Sequence, residues 1–127
     1  MKRILLWAAV VLAGASTIEA GIVAKRGQAS WYGEDHRGKL MANGKKFNPD
    51  KLTAASWFYP LGTKVRVTAK ASDHSARSVL VTVTDRGPAD DLVREGRIID
   101  LAHAAYKRLA HPDLGLVSVS VQPINHP

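Results

Sequence analysis

The sequence predicts a mainly β protein: a small closed barrel with one or two short helices. The main evidence is three segments in which valines alternate with polar residues, at 64–68, 78–84 and 116–122. Alternation of β-branched and polar residues is typical of strands with one buried face. A barrel is favoured over an open sheet because closure leaves no exposed strand edge in a chain of only 127 residues.

Further elements follow along the chain. Residues 28–32 (QASWY) lie between two glycines and predict a short strand, and residues 73–76 predict the hairpin connection between the first two valine-rich strands. Glycine- and proline-containing stretches at 33–50 and 86–96 predict long loops. Because long loops on a small barrel commonly carry function, we expect the site there.

One segment has helical spacing. Leu101, Ala105 and Leu109 recur every four residues within 101–110, so the pattern predicts a helix there that Pro112 would end. Asp100 directly precedes this segment and is interpreted as its N-cap.

The N-terminus predicts export. Two basic residues at positions 2 and 3 precede an apolar run at 4–13 and then small residues, which is the layout of a secretory signal peptide over 1–20. Cleavage after Ala15 or Ala20 fits this layout, and an uncleaved N-terminal anchor is the alternative. We therefore expect a linker at 21–26, one domain at 27–122, a tail at 123–127 and a periplasmic location.

Charge and composition narrow the classes of function. With no cysteine, disulfides, thiolate metal sites, a thiol nucleophile and a lipid-bearing cysteine are all excluded. The net charge of +7 favours an anionic polymer, of which the cell wall is the one that export suggests. No run rich in Lys and Arg indicates nucleic acid, the histidine spacing indicates no metal, and no cofactor motif is present. A monomer is expected.

Asp85 is the leading candidate for chemistry. It ends the most regular predicted strand and precedes Arg86-Gly87-Pro88, which would place a carboxyl group at the barrel rim beside a sharp turn. The alternative is a turn aspartate whose side chain only accepts hydrogen bonds from backbone N–H groups.

Aromatic residues form two groups in a chain otherwise poor in them. Trp31 and Tyr32 adjoin a glycine loop and are candidates for stacking on sugar rings; residues 57–59 (WFY) form the second group. The alternative for both groups is filling of the core.

These residues also fall within six ordered motifs that resemble the rare lipoprotein A family. The resemblance spans about residues 27–122, and its motifs are 29–33 (ASWYG), 41–44 (MANG), 52–55 (LTAA), 61–68 (LGTKVRVT), 83–88 (VTDRGP) and 97–101 (RIIDL). It implies a six-stranded double-psi β-barrel related to barwin and expansin domains. It also implies a lytic transglycosylase that prefers peptidoglycan glycan strands stripped of stem peptides.

The resemblance is incomplete at its polar positions. It assigns Asp85 to the family's active-site aspartate, but Lys45 stands at the position of the family's glutamate and Ser56 at that of its histidine. The family's lipid-bearing cysteine is absent, so a soluble periplasmic relative is expected rather than a lipoprotein.

The resulting hypothesis is an endolytic transglycosylase that forms 1,6-anhydro-muramoyl ends. Asp85 would act as acid and then base, since a substrate hydroxyl is the nucleophile and one carboxyl group suffices. The groove would be lined by Trp31, Tyr32, Asn43, Thr53 and Arg86. The alternatives are a non-catalytic, expansin-like glycan-binding module and, less favoured, an inhibitor or adaptor that binds a wall protein.

Overall fold

The structure, a computed structural model, describes residues 24–70 and 75–124, and the strands in this part of the chain close into a barrel. Its six strands are β1 (Lys25–Tyr32), β2 (Thr53–Ala55), β3 (Lys64–Lys70), β4 (Ala76–Asp85), β5 (Arg97–Ala102) and β6 (Val117–Pro123). Two short helices, α1 (Asp90–Arg94) and α2 (His103–Lys107), complete it. The predicted mainly β barrel with short helices is confirmed. The predicted signal peptide and both cleavage positions lie outside the described residues, and β1 begins two residues before the expected domain start.

The strands follow one another around the barrel in the order β1-β5-β2-β4-β3-β6. β1 pairs with β5 and β2 with β4 in parallel, whereas the remaining neighbours are antiparallel. The three valine-rich strands are confirmed as β3, β4 and β6. β3 and β4 pair from Lys64↔Thr82 to Lys70↔Ala76, which confirms the hairpin, although residues 71–74 lie outside the described part of the chain.

The barrel interior is filled by the inward-facing residues of these strands. Val65, Val67, Val83 and Val121 are fully buried, and Tyr106 of α2 closes the core at 0% exposure. Burying a side chain of this size stabilises the fold by about 1.5–3 kcal/mol, so the alternating valines account for the barrel's stability without disulfides.

The helix predicted for 101–110 is wrong at its beginning. Residues 97–102 form strand β5, Ala102 is the N-cap of α2, and the helix ends at Lys107. Asp100 is therefore a strand residue and not a cap. Alternation of apolar and polar residues did not predict β5, because apolar residues on both of its faces are buried: Ile98, Ile99, Leu101 and Ala102.

The long loop between β1 and β2 packs against the outside of the barrel. Met41 and Phe47 of this loop form a small apolar cluster with Ala102 and Tyr32, separate from the barrel core. Arg37 ties the loop together by donating hydrogen bonds to Glu34 (2.9 Å) and Asp50 (3.0 Å). The loop therefore forms a fixed wall over one face of β5 and β2.

No helix within the described ranges is long and apolar enough to cross a membrane.

Candidate active site

A row of paired residues on the outer barrel face brings two carboxyl groups together. Ser30 of β1 pairs with Asp100 of β5, Asp100 pairs with Ala55 of β2, and Ala55 pairs with Asp85 of β4. The preceding pair of β2 and β5 residues, Ala54 and Leu101, lies in the core. Because side chains alternate along strands, Ala55 and Asp100 face outwards, on the side covered by the 33–50 loop. Asp85 and Asp100 thus flank one small buried residue, Ala55, and the surface that they share with the 33–50 loop is the candidate groove.

Two backbone N–H groups hold one oxygen of Asp85 in place. Its Oδ1 accepts hydrogen bonds from the backbone N–H of Ala42 (2.8 Å) and of Arg86 (2.9 Å). Across residues 24–70 and 75–124, Oδ2 has no hydrogen-bond partner. The turn-type contact expected as an alternative is therefore present on one oxygen, while the second oxygen remains available.

Asp100 has the properties of a proton donor. Its Oδ1 accepts a hydrogen bond of 3.2 Å from the Ser30 hydroxyl. Burial raises the pKa of Asp100 to about 6, and the nearby Asp85 carboxylate adds to the rise, while Ser30, His36 and Arg97 oppose it. A carboxyl group with a pKa near the working pH suits general acid catalysis. From the sequence, Asp100 was a second candidate carboxyl group, but a helix cap was favoured, although Asp100 lies in the 97–101 motif.

Tyr32 reaches the same place. Its ring stacks on Phe47, with centroids 4.1 Å apart and planes at 16°, and its hydroxyl is buried without a hydrogen-bond partner in the described part of the chain. Burial, followed by the charges of Asp85 and Asp100, raises the pKa of Tyr32, so the phenol is neutral and remains a donor. An unpaired buried hydroxyl beside two carboxyl groups is suited to meet a polar group of a ligand.

The other predicted groove residues lie in different surroundings. Trp31 donates from Nε1 to the carbonyl of Pro112 (2.9 Å), and its ring centroid lies 4.6 Å from that of His103. Arg86 donates from Nη1 to the carbonyls of Ser56 (2.7 Å) and Tyr59 (2.6 Å) and so anchors that turn. These two side chains have structural contacts, and their roles towards a ligand stay predictions.

Asn43 lies in the 33–50 loop, and Thr53 lies on β2. Asn43 is exposed, and its backbone N–H donates a hydrogen bond to the carbonyl of Thr84 (3.1 Å), the residue before Asp85. Its side-chain Oδ1 accepts a hydrogen bond from the backbone N–H of Lys45 (2.9 Å). Thr53 lies two residues before Ala55 on β2, so it shares the outward face, and its buried Oγ1 has no partner among the described residues. Both positions fit a polar groove lining.

Lys45 and Ser56 differ in how they relate to the groove. Lys45 is exposed on the loop whose Ala42 amide bonds to Asp85. Ser56 is fully buried; it donates to the carbonyl of Ile98 (3.1 Å) and accepts from the amide of Phe58 (3.2 Å). The side chain at position 56 therefore serves the backbone and takes no part in chemistry in the groove.

Within the described residues, no group of three or more His, Asp or Glu side chains is arranged to hold a metal ion.

The closed six-stranded barrel, with its two parallel strand pairings, is the architecture expected of a double-psi β-barrel domain. The family model described as "Lytic transglycolase" matches residues 24–121, and the chain belongs to this family. The family expected from the six motifs is thereby confirmed.

Several curated relatives share this domain. The chain is 38% identical over 117 residues to the "Probable endolytic peptidoglycan transglycosylase RlpA" of Synechocystis, with 90% of this chain and 34% of the relative covered. It is 40% identical to the "Endolytic peptidoglycan transglycosylase RlpA" of Rickettsia felis (76% and 40% covered) and 39% identical to that of Pseudomonas aeruginosa (78% and 27% covered). The chain therefore spans between about a quarter and two fifths of the length of these relatives.

Solved structures support the fold. The Streptomyces papain inhibitor superposes with a TM-score of 0.62 at 23% identity, covering 81% of this chain and 96% of the inhibitor. An expansin of Clavibacter michiganensis, solved as a mutant with cellohexaose, superposes with a TM-score of 0.61 at 18% identity, covering 83% and 52%. At these identities the likeness concerns the fold alone.

Proposed function

We propose that this protein is an exported, periplasmic lytic transglycosylase that cleaves peptidoglycan glycan strands internally and leaves 1,6-anhydro-muramoyl ends. The observation that carries the proposal is the placement of Asp85 and Asp100 on either side of Ala55 in one groove. Membership of the lytic transglycolase family and the names of the relatives support the same chemistry.

The reaction begins with protonation of the leaving group. Asp100, whose pKa is raised to about 6, donates its proton to the glycosidic oxygen as the bond from that oxygen to the muramoyl C1 breaks. Positive charge then develops on the muramoyl ring. The Asp85 carboxylate, held by two backbone N–H groups, stabilises this charge from the same face of the barrel.

The second step closes the anhydro ring. The C6 hydroxyl of the same muramoyl unit attacks C1, and its proton passes back to the ionised Asp100. The proton lost at the start is thus recovered, and no water is consumed. A hydrolase typically needs a second carboxyl group to activate water, whereas here the nucleophile belongs to the substrate. In this scheme Asp100 carries the proton and Asp85 stabilises the charge, so the part predicted from the sequence for Asp85 alone is divided between two aspartates.

The groove lining would orient the strand. Tyr32 donates from its unpaired hydroxyl to a sugar oxygen, and Thr53 offers a second unpaired hydroxyl on the same face. Asn43 lies at the loop wall, while Arg86 and Trp31 hold the turns that border the groove. Preorganised donors of this kind bind without the entropic cost of being ordered on binding.

Charge is compatible with binding of glycan strands that lack stem peptides. Removal of the peptide leaves a free carboxylate on each muramoyl lactyl group, and a chain of net charge +7 attracts such a polyanion. Lys45 is exposed on the loop whose Ala42 amide bonds to Asp85, and it would pair with one of these carboxylates. The protein would act as a monomer, without a membrane anchor once its signal peptide is removed.

The test is product analysis. Purified protein is incubated with peptide-free glycan strands, and the ends are examined by mass spectrometry for anhydro-muramoyl units. Asp85→Asn and Asp100→Asn should each lower their formation about 10²- to 10⁴-fold, the usual contribution of a general acid or base. Asp90→Asn, an exposed acid at the start of α1, is the matched control and should leave the rate unchanged.

Other outcomes separate the alternatives. Glycan binding without anhydro ends would instead identify a non-catalytic glycan-binding module. That alternative is favoured by Lys45 and Ser56, which stand where the family has a glutamate and a histidine. Reducing ends in place of anhydro ends would show a hydrolase. Equal rates in wild type and both aspartate variants would contradict the assignment of Asp85 and Asp100.

A further inference from the structure

We propose that Trp57 and Phe58 form a stacking platform that extends the groove and binds a further sugar ring of the glycan strand, beyond the bond that is cleaved. This inference rests on the proposed function for the choice of ligand. It assigns to these two residues a role in holding the strand, and none in the chemistry.

The platform is the aromatic surface that this part of the chain leaves open. Trp57 is 52% exposed and Phe58 is 40% exposed, although large aromatic side chains are normally buried on folding. By contrast, the rings of Trp31 and Tyr32 are packed against His103 and Phe47. Exposed neighbouring aromatics are a feature of binding surfaces, because they offer a large apolar area at little cost in conformational entropy.

Hydrogen bonds fix the platform to the loop that follows Asp85. The Trp57 indole Nε1 donates to the carbonyl of Pro88 (2.6 Å), which orients its ring. Arg86 holds the same turn from the other side through the carbonyls of Ser56 and Tyr59. The platform is therefore rigid relative to the strand that carries Asp85, as a binding surface requires for affinity.

The platform is continuous with the groove floor. Thr53 and Ala55 face outwards on β2. The pairing of β2 with β4 continues for one more residue, because the Ser56 backbone N–H donates a hydrogen bond to the Asp85 carbonyl (3.0 Å). Trp57 is the next residue and is exposed. Gly87 packs against Ala55, where an added Cβ would lie 3.4 Å from the Ala55 Cβ, so the turn after Asp85 lies close to β2 between the aspartates and Trp57. A strand bound across Asp85 would continue onto the indole.

A cation beside the platform indicates an acidic glycan. The ammonium group of Lys25 lies over the Phe58 ring, 4.2 Å from its centroid, so it covers one face of that ring and leaves the Trp57 indole as the main stacking surface. An apolar protein partner would be disfavoured by burying this charge, whereas a muramoyl lactyl carboxylate would pair with it. The occupant we assign is therefore a peptide-free glycan strand of the wall.

The experiment measures binding in the inactive Asp85→Asn background, with peptide-free glycan strands as the ligand and neutral chitooligosaccharide as the comparison. Trp57→Ala should weaken binding of the glycan strands about tenfold, whereas Trp57→Phe, which keeps a ring but loses the hydrogen bond to Pro88, should stay within about threefold of the parent. Lys25→Gln should weaken binding of the glycan strands more than that of the neutral sugar. Leu114→Ala, also an exposed apolar residue, is the control and should change nothing.

Equal losses in Trp57→Ala and Trp57→Phe would overturn the proposal, because they would show that Trp57 only anchors the Pro88 loop. Unchanged glycan binding in Trp57→Ala would also overturn it. The proposal would fail as well if Trp57→Ala kept glycan binding but lost binding to a second copy of the chain or to lipid vesicles. If wild type binds glycan through Trp57 but forms no anhydro ends, the platform stands and the proposed reaction fails. If wild type forms anhydro ends but Trp57→Ala binds glycan normally, the proposed reaction stands and the platform fails.

Discussion

Asp85 and Asp100 pair with the same residue, Ala55, from opposite sides of β2, so two carboxyl groups that are fifteen positions apart in sequence share one face of the barrel wall. Each is held differently: Asp85 by backbone amides and Asp100 by burial and the Ser30 hydroxyl. Burial raises the pKa of Asp100 to about 6, whereas Asp85 accepts two hydrogen bonds from backbone N–H groups. Four predictions follow from the groove's geometry.

The first prediction concerns stability and pH. The pKa of Asp100 is about 6 in the folded state, above its ordinary value of 3.8, so between about pH 4 and pH 6 the folded protein binds more protons than the unfolded chain. Stability should therefore fall as pH rises through this window and level off above it, a loss of about 3 kcal/mol. Asp100→Asn should be more stable than wild type at pH 8 and equal to it at pH 3, as measured by urea unfolding. A difference between the two proteins that does not change with pH would contradict the assignment.

The second prediction compares two tyrosines. Tyr32 and Tyr106 both bury a hydroxyl without a partner, but Tyr32 does so beside the aspartates and Tyr106 in the core. Either change to Phe removes an unpaired polar atom and should raise the free energy of unfolding by about 1 kcal/mol. Only Tyr32→Phe should also slow cleavage, about tenfold, if its hydroxyl bonds to the sugar. Equal rates in both variants would show that the Tyr32 hydroxyl takes no part in binding.

The third prediction exchanges the charge at position 45. Lys45→Glu places a carboxyl group on the exposed loop whose backbone holds Asp85, at the position where the family has a glutamate. Cleavage should speed up at least about tenfold, within the usual contribution of general acid–base help. Lys45→Gln separates loss of the cation from gain of the acid and should weaken binding of lactyl-bearing strands without raising the rate. Faster cleavage by Lys45→Gln than by wild type would show that the positive charge of Lys45 itself slows the reaction.

The fourth prediction concerns the other substituted family position. Ser56 is fully buried between the Ile98 carbonyl and the Phe58 amide, so an imidazole there would overfill the site and break both hydrogen bonds. Ser56→His should lower the free energy of unfolding by about 3 kcal/mol, and Ser56→Ala by about 1 kcal/mol. Thermal unfolding of both variants checks this. A stable Ser56→His would mean that the new side chain turns out into the groove.

Prediction from sequence succeeded where a strand has one polar face. The valines of β3, β4 and β6 alternate with solvated residues, and that period of two identifies a strand without tertiary information. It failed for residues 97–102, because this strand is covered on both faces, by the core and by the 33–50 loop. The misplaced helix start then turned Asp100 into a cap and hid half of the candidate site.

The amino-acid sequence by itself determined the barrel class, the family and one acidic candidate, because hydrophobic period and ordered motifs are local properties of the chain. Only the tertiary structure decided that Asp100 faces the groove beside Asp85, that Tyr32 brings an unpaired hydroxyl to both, and that Ser56 is buried while Trp57 is exposed. These facts depend on register between strands distant in sequence, and on which face a loop covers. Burial then sets the pKa of Asp100, a quantity that no residue carries on its own.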